Sequence, residues 1–343
     1  MEDVQRILAE DKDKADAKVA RQLSGLELAE RMSSPKLKSL EQIVPGTKSR
    51  WALVALADAS VFLSPAAQDV VSEAAPDLDE QRRMLALTVE YLAKTLPKLP
   101  NFYAMRTIVR FEDDHRGKPT SAGSLDHSSW RQVGSSKVVV AYRDGKEIIN
   151  PREWETHPDH LEGKGLITRG TFGPILSTVF VDAAHDGFTW SRWERGSAGT
   201  LAVFHYRVPK DRSHYSAGFY GLSSVEEDAT HVTGYHGELA IDPATGTILR
   251  VTVQAEQPLG APILQADIMV EYGPVEIGGK TYTCPLRSVS ISMGAAPKMR
   301  FVGPFAESAP PPTTLVNDMV FDNYHQFRSE SRILTGNIAA PDH

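Results

Sequence analysis

Gly237-Glu238-Leu239-Ala240-Ile241-Asp242-Pro243-Ala244-Thr245-Gly246-Thr247-Ile248-Leu249-Arg250-Val251-Thr252-Val253 is the stretch that decides the fold of this chain. Side chains of a strand alternate between its two faces. Leu239 and Ile241 therefore share one side of a first strand, and Leu249, Val251 and Val253 one side of a second, with Glu238, Arg250 and Thr252 opposite. Between the two, Asp242 suits the first corner of a type I turn and Pro243 presets φ at the next. Gly246 takes the left-handed bulge that returns the chain. The stretch is a β-hairpin with one dry side.

The same alternation extends in both directions. Downstream, strands are expected at Asp267 to Tyr272, Gly273 to Ile277, Thr281 to Cys284 after a Gly278-Gly279 turn, and Arg287 to Met293. In the last of these Val289, Ile291 and Met293 alternate with Ser288, Ser290 and Ser292. Pro304 to Thr314 reads as a loop or arm, and Thr314 to Arg332 as a long closing strand. Upstream, Tyr103 to Phe111 alternates with Arg106 and Arg110, and Gly117 to Ser129 is a polar loop. Lys137 to Tyr142 turns through Asp144-Gly145 into Glu147-Ile148-Ile149. Further strands are Phe188 to Glu194, Leu201 to Val208 and Ser224 to Thr233. A single helix, Phe172 to Phe180, interrupts them, with Thr171 as cap and Pro174 in its first turn.

From Glu2 to about Pro97 the apolar residues recur at helical spacing instead, as in Val4, Ile7 and Leu8 or Met84, Leu87, Tyr91 and Leu92. Ser34-Pro35 and Asp77 mark helix starts, Pro45-Gly46 a stop. This part reads as four or five short helices and no strand. Leu96-Pro97-Lys98-Leu99-Pro100 then ends the helical region, because prolines terminate helices and push their neighbours to extended backbone. Two regions follow: residues 1–98, helical, and residues 99–343, β. Consecutive strands joined mostly by hairpins imply an antiparallel meander, and a sheet this wide curls. The expected fold class is α+β, an N-terminal helical layer followed by a large curved antiparallel sheet, or half-barrel.

The 343 residues, 41% hydrophobic and 24% charged, suit a soluble chain with one large or two medium domains. A net charge of -7 with no concentrated basic stretch excludes a general nucleic-acid binder. One cysteine, Cys284, allows neither an internal disulfide nor a cysteine-rich zinc site, and before Pro285 it reads as a small buried thiol. No apolar run reaches the roughly 18 to 20 residues of a membrane-spanning helix. Met1-Glu2-Asp3-Val4 has neither the basic start nor the apolar core of a secretory signal.

Motifs for chemistry are few. In His157-Pro158-Asp159-His160 the proline forbids the helix that would put both imidazoles on one face, so a solvated loop is expected and no metal. Asp113-Asp114-His115 reads as a turn, and Glu226-Glu227-Asp228 as a solvated connection. Neither a Gly-x-Ser-x-Gly elbow nor a phosphate-binding glycine loop is present, and Gly218-Phe219-Tyr220-Gly221 lacks the context of a dinucleotide site. No catalytic residue and no cofactor is assigned. What remains is aromatic: Phe188, Trp190 and Trp193 on one strand, Phe204 and Tyr206 on the next, with His205 on the opposite face. These five rings are either ordinary core or the lining of a hydrophobic groove.

The β region resembles the half-barrel of the bacterial lipoprotein-carrier superfamily, through Gly237 to Gly246, Ile248-Leu249-Arg250, the Asp267 to Tyr272 strand and the Ile277 to Tyr282 hairpin leading to Pro285. That resemblance implies an incompletely closed sheet plugged by helices that shelters acyl chains, and no catalytic residues. The whole chain also resembles a group of secreted proteins of soil Acidobacteria, through Leu99-Pro100-Asn101-Phe102, Arg110-Phe111-Glu112-Asp113, Phe172-Gly173-Pro174-Ile175-Leu176 and Phe321-Asp322-Asn323-Tyr324. The expectation is a periplasmic or secreted, non-enzymatic protein that holds a lipid or other hydrophobic small molecule on Phe188, Trp190, Trp193, Phe204 and Tyr206. One alternative is a structural module of the cell envelope that meets a protein partner through the helical layer and Pro310-Pro311-Pro312. Another is a hydrolase whose site draws on dispersed residues such as His205, His236 and Asp242.

Overall fold

The computed structural model describes residues 2–10, 15–114, 129–149, 171–184, 187–197, 199–217, 231–258, 261, 263–294, 301–302, 305–306 and 313–327. Helices α1 (Glu2–Glu10), α2 (Asp16–Ser24), α3 (Ser34–Glu41), α4 (Thr47–Ala59) and α5 (Leu78–Thr95) come first, with a short strand β1 (Val70–Val71) among them. After β2 (Phe102–Asp114), β3 (Ser129–Arg143) and β4 (Lys146–Ile149) comes helix α6 (Pro174–Ala183). Strands β5 (Phe188–Arg195), β6 (Thr200–Val208), β7 (Ser216–Ala217), β8 (His231–Val232), β9 (Tyr235–Ile241) and β10 (Ile248–Ala255) follow. The chain continues through β11 (Ile263–Ile277), β12 (Lys280–Gly294), β13 (Phe301–Val302), β14 (Phe305–Ala306) and β15 (Thr314–Gln326).

Eleven of these strands form one open antiparallel sheet in the order β1-β5-β6-β9-β10-β11-β12-β15-β2-β3-β4. The fold is α+β with a curved sheet, as expected. Within it the last long strand, β15, lies between β12 and β2, pairing Val316 with both Ile291 and Phe111.

Both faces are covered. The α1 to α4 layer packs Val19, Leu23, Leu53 and Leu56 against Met269, Val289, Val316 and Phe111. On the other face α5 and α6 bring Met84, Leu92, Ile175 and Val179 onto Phe204, Leu239, Val251, Ile268 and Val270. Residues 1–98 thus serve both sides of the sheet and share its core. They contain one short strand, which the helical spacing hid: Val70 and Val71 pair with Glu194 and Trp193 and cap the β5 edge.

Helix ends follow local chemistry in part. Asp77 caps α5, accepting from the Glu80 amide at 2.8 Å. Helix α4 is capped in trans, Asp16 of α2 accepting from the Lys48 and Ser49 amides at 3.0 and 2.8 Å. Those hydrogen bonds, led by the one from the Ser49 hydroxyl, hold the Asp16 carboxyl below its ordinary value. Thr171 does not cap α6; Gly173 occupies that position without a side-chain hydrogen bond. Ser34 lies inside α3 and donates from its hydroxyl to Glu271 at 2.6 Å.

The opening hairpin forms as read. The Ala244 and Thr245 amides donate to the Asp242 carboxylate at 2.8 and 2.9 Å, and Gly246 has φ +70°. One detail differs. A register shift sets Ile248 against Ile241 and Arg250 against Ala240, so Leu249 and Arg250 both oppose Ala240. Leu249 therefore packs with Val203 and Ala240 on the α1–α4 side, and Ile248 takes its expected place beside Val251. Such a bulge breaks period two by one residue. The four short strands expected between Asp267 and Met293 are instead one long hairpin, β11 and β12, turned by Gly278 and Gly279 at φ +59° and +78°.

Candidate functional site

The five ring residues named from sequence do share a face and an environment. Phe188 lies opposite Tyr206, and Trp190 opposite Phe204, across β5 and β6. The rings of Trp190 and Trp193 meet edge to face at 4.8 Å, and those of Trp190 and Phe204 at 5.5 Å. Phe204 and Tyr206 are fully buried under α5 and α6, while Phe188, Trp190 and Trp193 remain half-buried toward the β5 edge. The Trp193 indole N–H donates to the Ala74 carbonyl at 3.0 Å. Tyr206 donates to the Thr252 carbonyl across Gly237, where any Cβ would lie 1.9 Å from that oxygen. Burial pushes the Tyr206 and Tyr272 phenols well above their ordinary values, and the Cys284 thiol up to about 12.

A second ring cluster on the same side was not anticipated. Phe172 sits against Phe102, Phe321 and Tyr324 at centroid distances of 5.3, 5.3 and 6.4 Å. These residues are far apart in sequence and meet only because β15 inserts beside β2. Between the two ring groups, Tyr91, Leu96, Phe172, Leu176, Ile248 and Tyr272 enclose a cavity of about 10 Å³. That is room for roughly one water.

The opposite face carries charge instead. Arg192, Arg250 and Arg287 each stand at a register shift, the neighbouring residue sharing their position in the ladder. A bulge re-aims a side chain, and here it turns each guanidinium toward the α1–α4 layer. Arg250 forms a fork on Glu194 at 2.8 and 3.0 Å, and Arg31 reaches the same carboxylate at 2.5 Å. Burial alone would raise Glu194, but Arg250 and Arg31 outweigh it and hold the carboxyl at about 2. Arg31 is pulled below its ordinary value by burial and by Arg250. Arg287 joins Asp318 at 2.8 Å and also binds Asp58 of α4. Burial, with Asp318 close by, raises Asp58 well above the carboxylate range despite Arg287.

At the outer end of this row the structure places three residues together that sequence reading left apart. Ser191, on the β5 bulge, lies with its Oγ 3.0 Å from His205 Nε2. His205 Nδ1 is 3.6 Å from Glu238 Oε1, and Arg192 forks that carboxylate at 2.6 and 2.7 Å. Burial raises Glu238, yet the Arg192 bonds prevail and lower it. Of the dispersed set, only His205 belongs here. His236 lies 3.6 Å from Glu256, and Asp242 is taken up by its turn. The signal was in the ring spacing: Phe188, Trp190 and Trp193 can share a face only if one residue between 190 and 193 is extra.

Among the described residues no group of three or more His, Cys, Asp or Glu could hold a metal, and no helix is long and apolar enough to cross a membrane. The His157 and His160 pair, His115, Gly218 to Gly221, Glu226 to Asp228 and Pro310 to Pro312 lie outside the described residues. A scan against protein-family models, a search of curated proteins and a search of solved structures each return no match to this chain.

Proposed function

We propose that this protein binds an apolar ligand, a lipid or other hydrophobic small molecule, on the ring-bearing face of its sheet, and admits it by lifting α5. The carrying observation is how lightly that helix is seated. Of its 18 residues only Met84, Thr88 and Leu92 are buried, whereas α4 buries eight of 13. Met84 and Leu92 together contribute on the order of 3–6 kcal/mol by burial. With partial burial of Leu85, Tyr91 and Leu96 added, an opening of this size stays below global unfolding for a domain of this class. Phe204, Tyr206 and Ile248 share one apolar cluster with Met84 and Leu92 of α5, and Phe188, Trp190 and Trp193 pack half-buried against it. The cavity at the junction of α5 and α6 is too small for a ligand while α5 is down, so the site exists only in the opened state.

The resemblance to the lipoprotein carriers points the same way and would put the protein in the periplasm or outside the cell. Titration with a polyene fatty acid should give saturable binding and quench the Trp190 and Trp193 emission by energy transfer. Replacing Met84 and Leu92 with alanine should speed uptake, because the helix opens more readily. Absence of saturable uptake by both the folded wild type and this loosened variant would overturn the reading.

A further inference from the structure

We propose that Ser191, His205 and Glu238 form an acyl-transfer site on the outer face of β5, β6 and β9, cleaving esters of small acyl groups. The geometry suits one assignment of the hydrogens. Ser191 Oγ accepts from Arg192 Nη1 at 3.0 Å, so its own proton is free for His205 Nε2, also at 3.0 Å. An imidazole that accepts at Nε2 carries its proton on Nδ1, which faces Glu238 Oε1 at 3.6 Å. Nucleophile, base and orienting carboxylate thus stand in order, with a guanidinium beside the nucleophilic oxygen. A bulge completes the set. Thr189 opposes His205, so alternation already sends Ser191 to the His205 side, and the register shift after Trp190, which sets Arg192 opposite Val203, brings Arg192 to that side as well.

In the first step Ser191 Oγ bonds to the acyl carbon while its proton passes to His205 Nε2. The tetrahedral oxyanion forms next to the Arg192 charge. Collapse breaks the ester bond, and the leaving alcohol takes the proton from Nε2. Water then attacks the acyl-serine, giving a proton to the same nitrogen, and collapse returns that proton to Ser191 and releases the acid. The surroundings set the substrate class. His205 is 55% exposed and its neighbours Thr189, Arg207 and His236 are exposed and polar. The rings of β5 and β6 point to the other face, so among the described residues no apolar pocket serves the acyl group. A small acyl unit on a bulky, polar alcohol fits.

Phosphonylation by a fluorophosphonate, located by peptide mass spectrometry, and hydrolysis of p-nitrophenyl acetate test the assignment on the full chain. Ser191 should be the modified residue. Ser191→Ala should abolish labelling and, like His205→Gln, lower hydrolysis on the order of 10²-fold, with melting temperatures little changed because His205 is exposed and Ser191 only half-buried. His236→Ala should behave as wild type. A free surface imidazole also cleaves the nitrophenyl ester, but it would survive Ser191→Ala, so activity retained in that variant overturns the proposal. So does labelling confined to other serines, and neither result bears on lipid uptake at the opposite face.

Discussion

Glu194 shows how a single buried carboxylate can organise a region. It is 4% exposed at its side chain and takes Arg31 from the segment between α2 and α3, Arg250 from β10, and Arg192 from its own strand at 2.9 Å. Two strands of the ladder, β5 and β10, and the helical layer are therefore tied to one anion. Its carboxyl is held at about 2 against an ordinary 4.5. A depressed carboxylate contributes stability that is fully present above 4.5 and is lost as pH falls through about 2. The difference amounts to about 3 kcal/mol. Glu194→Gln removes this contribution and leaves Arg31 and Arg250 buried with less counter-charge. Urea denaturation at neutral pH should show a loss of about 3–5 kcal/mol. As pH is lowered from about 4.5 toward about 2, the variant and the wild type should converge. Parallel curves would mean that Glu194 is not the group titrating.

At the scale of elements, the hairpin of β9 and β10 serves as the seat of α5. Gly246 has φ +70°, and a Cβ there would lie 2.4 Å from the Leu87 carbonyl carbon and from the Thr88 amide nitrogen. Both requirements select glycine: left-handed backbone costs other residues about 1–2 kcal/mol, and the backbone of α5 cannot retreat locally. Gly246→Ala should therefore destabilise the protein by at least about 1–2 kcal/mol and raise hydrogen exchange across Leu78 to Thr95 selectively. Uniform exchange throughout the chain would show that α5 does not open as a unit. The sequence disclosed this glycine's conformation, because turn chemistry is local. It did not disclose the contact with α5, some 160 residues earlier in the chain. The bulges are an intermediate case. Rings at 188, 190 and 193, and aliphatics at 248, 251 and 253, carry the broken spacing in plain view, yet alternation alone assigns Leu249 to the wrong face. Charged pairs such as Arg287 with Asp58 were beyond reach, since each joins a helix to a strand through register that only the folded sheet sets.

For the whole molecule, the order of strands carries a folding consequence. The β5 to β12 wing and the β2 to β4 wing are each built from neighbours in sequence, but only β15 joins them, pairing Val289 with Asp318 on one side and Val109 with Asp318 on the other. The strands β2 and β15 lie about 200 residues apart, so this step closes a long loop and belongs late and slow in folding. The core of the α1 to α4 layer spans both wings, drawing on Phe111 from one and Val289 from the other, with Val316 of β15 between them. Without β15, those helices would have no continuous surface to cover. A chain ending at residue 313 should accordingly lose the α1 to α4 layer as well as the sheet's middle, and limited proteolysis should cut within α1 to α4. The β5 to β12 wing keeps its own helices, α5 and α6, and its own core of Phe204, Leu239, Val251 and Val270. That wing should survive digestion as a fragment, because a sheet with a covered apolar face meets the requirement for independent stability. Digestion of the truncated chain without any resistant β5 to β12 fragment would show instead that the two wings fold only as one unit.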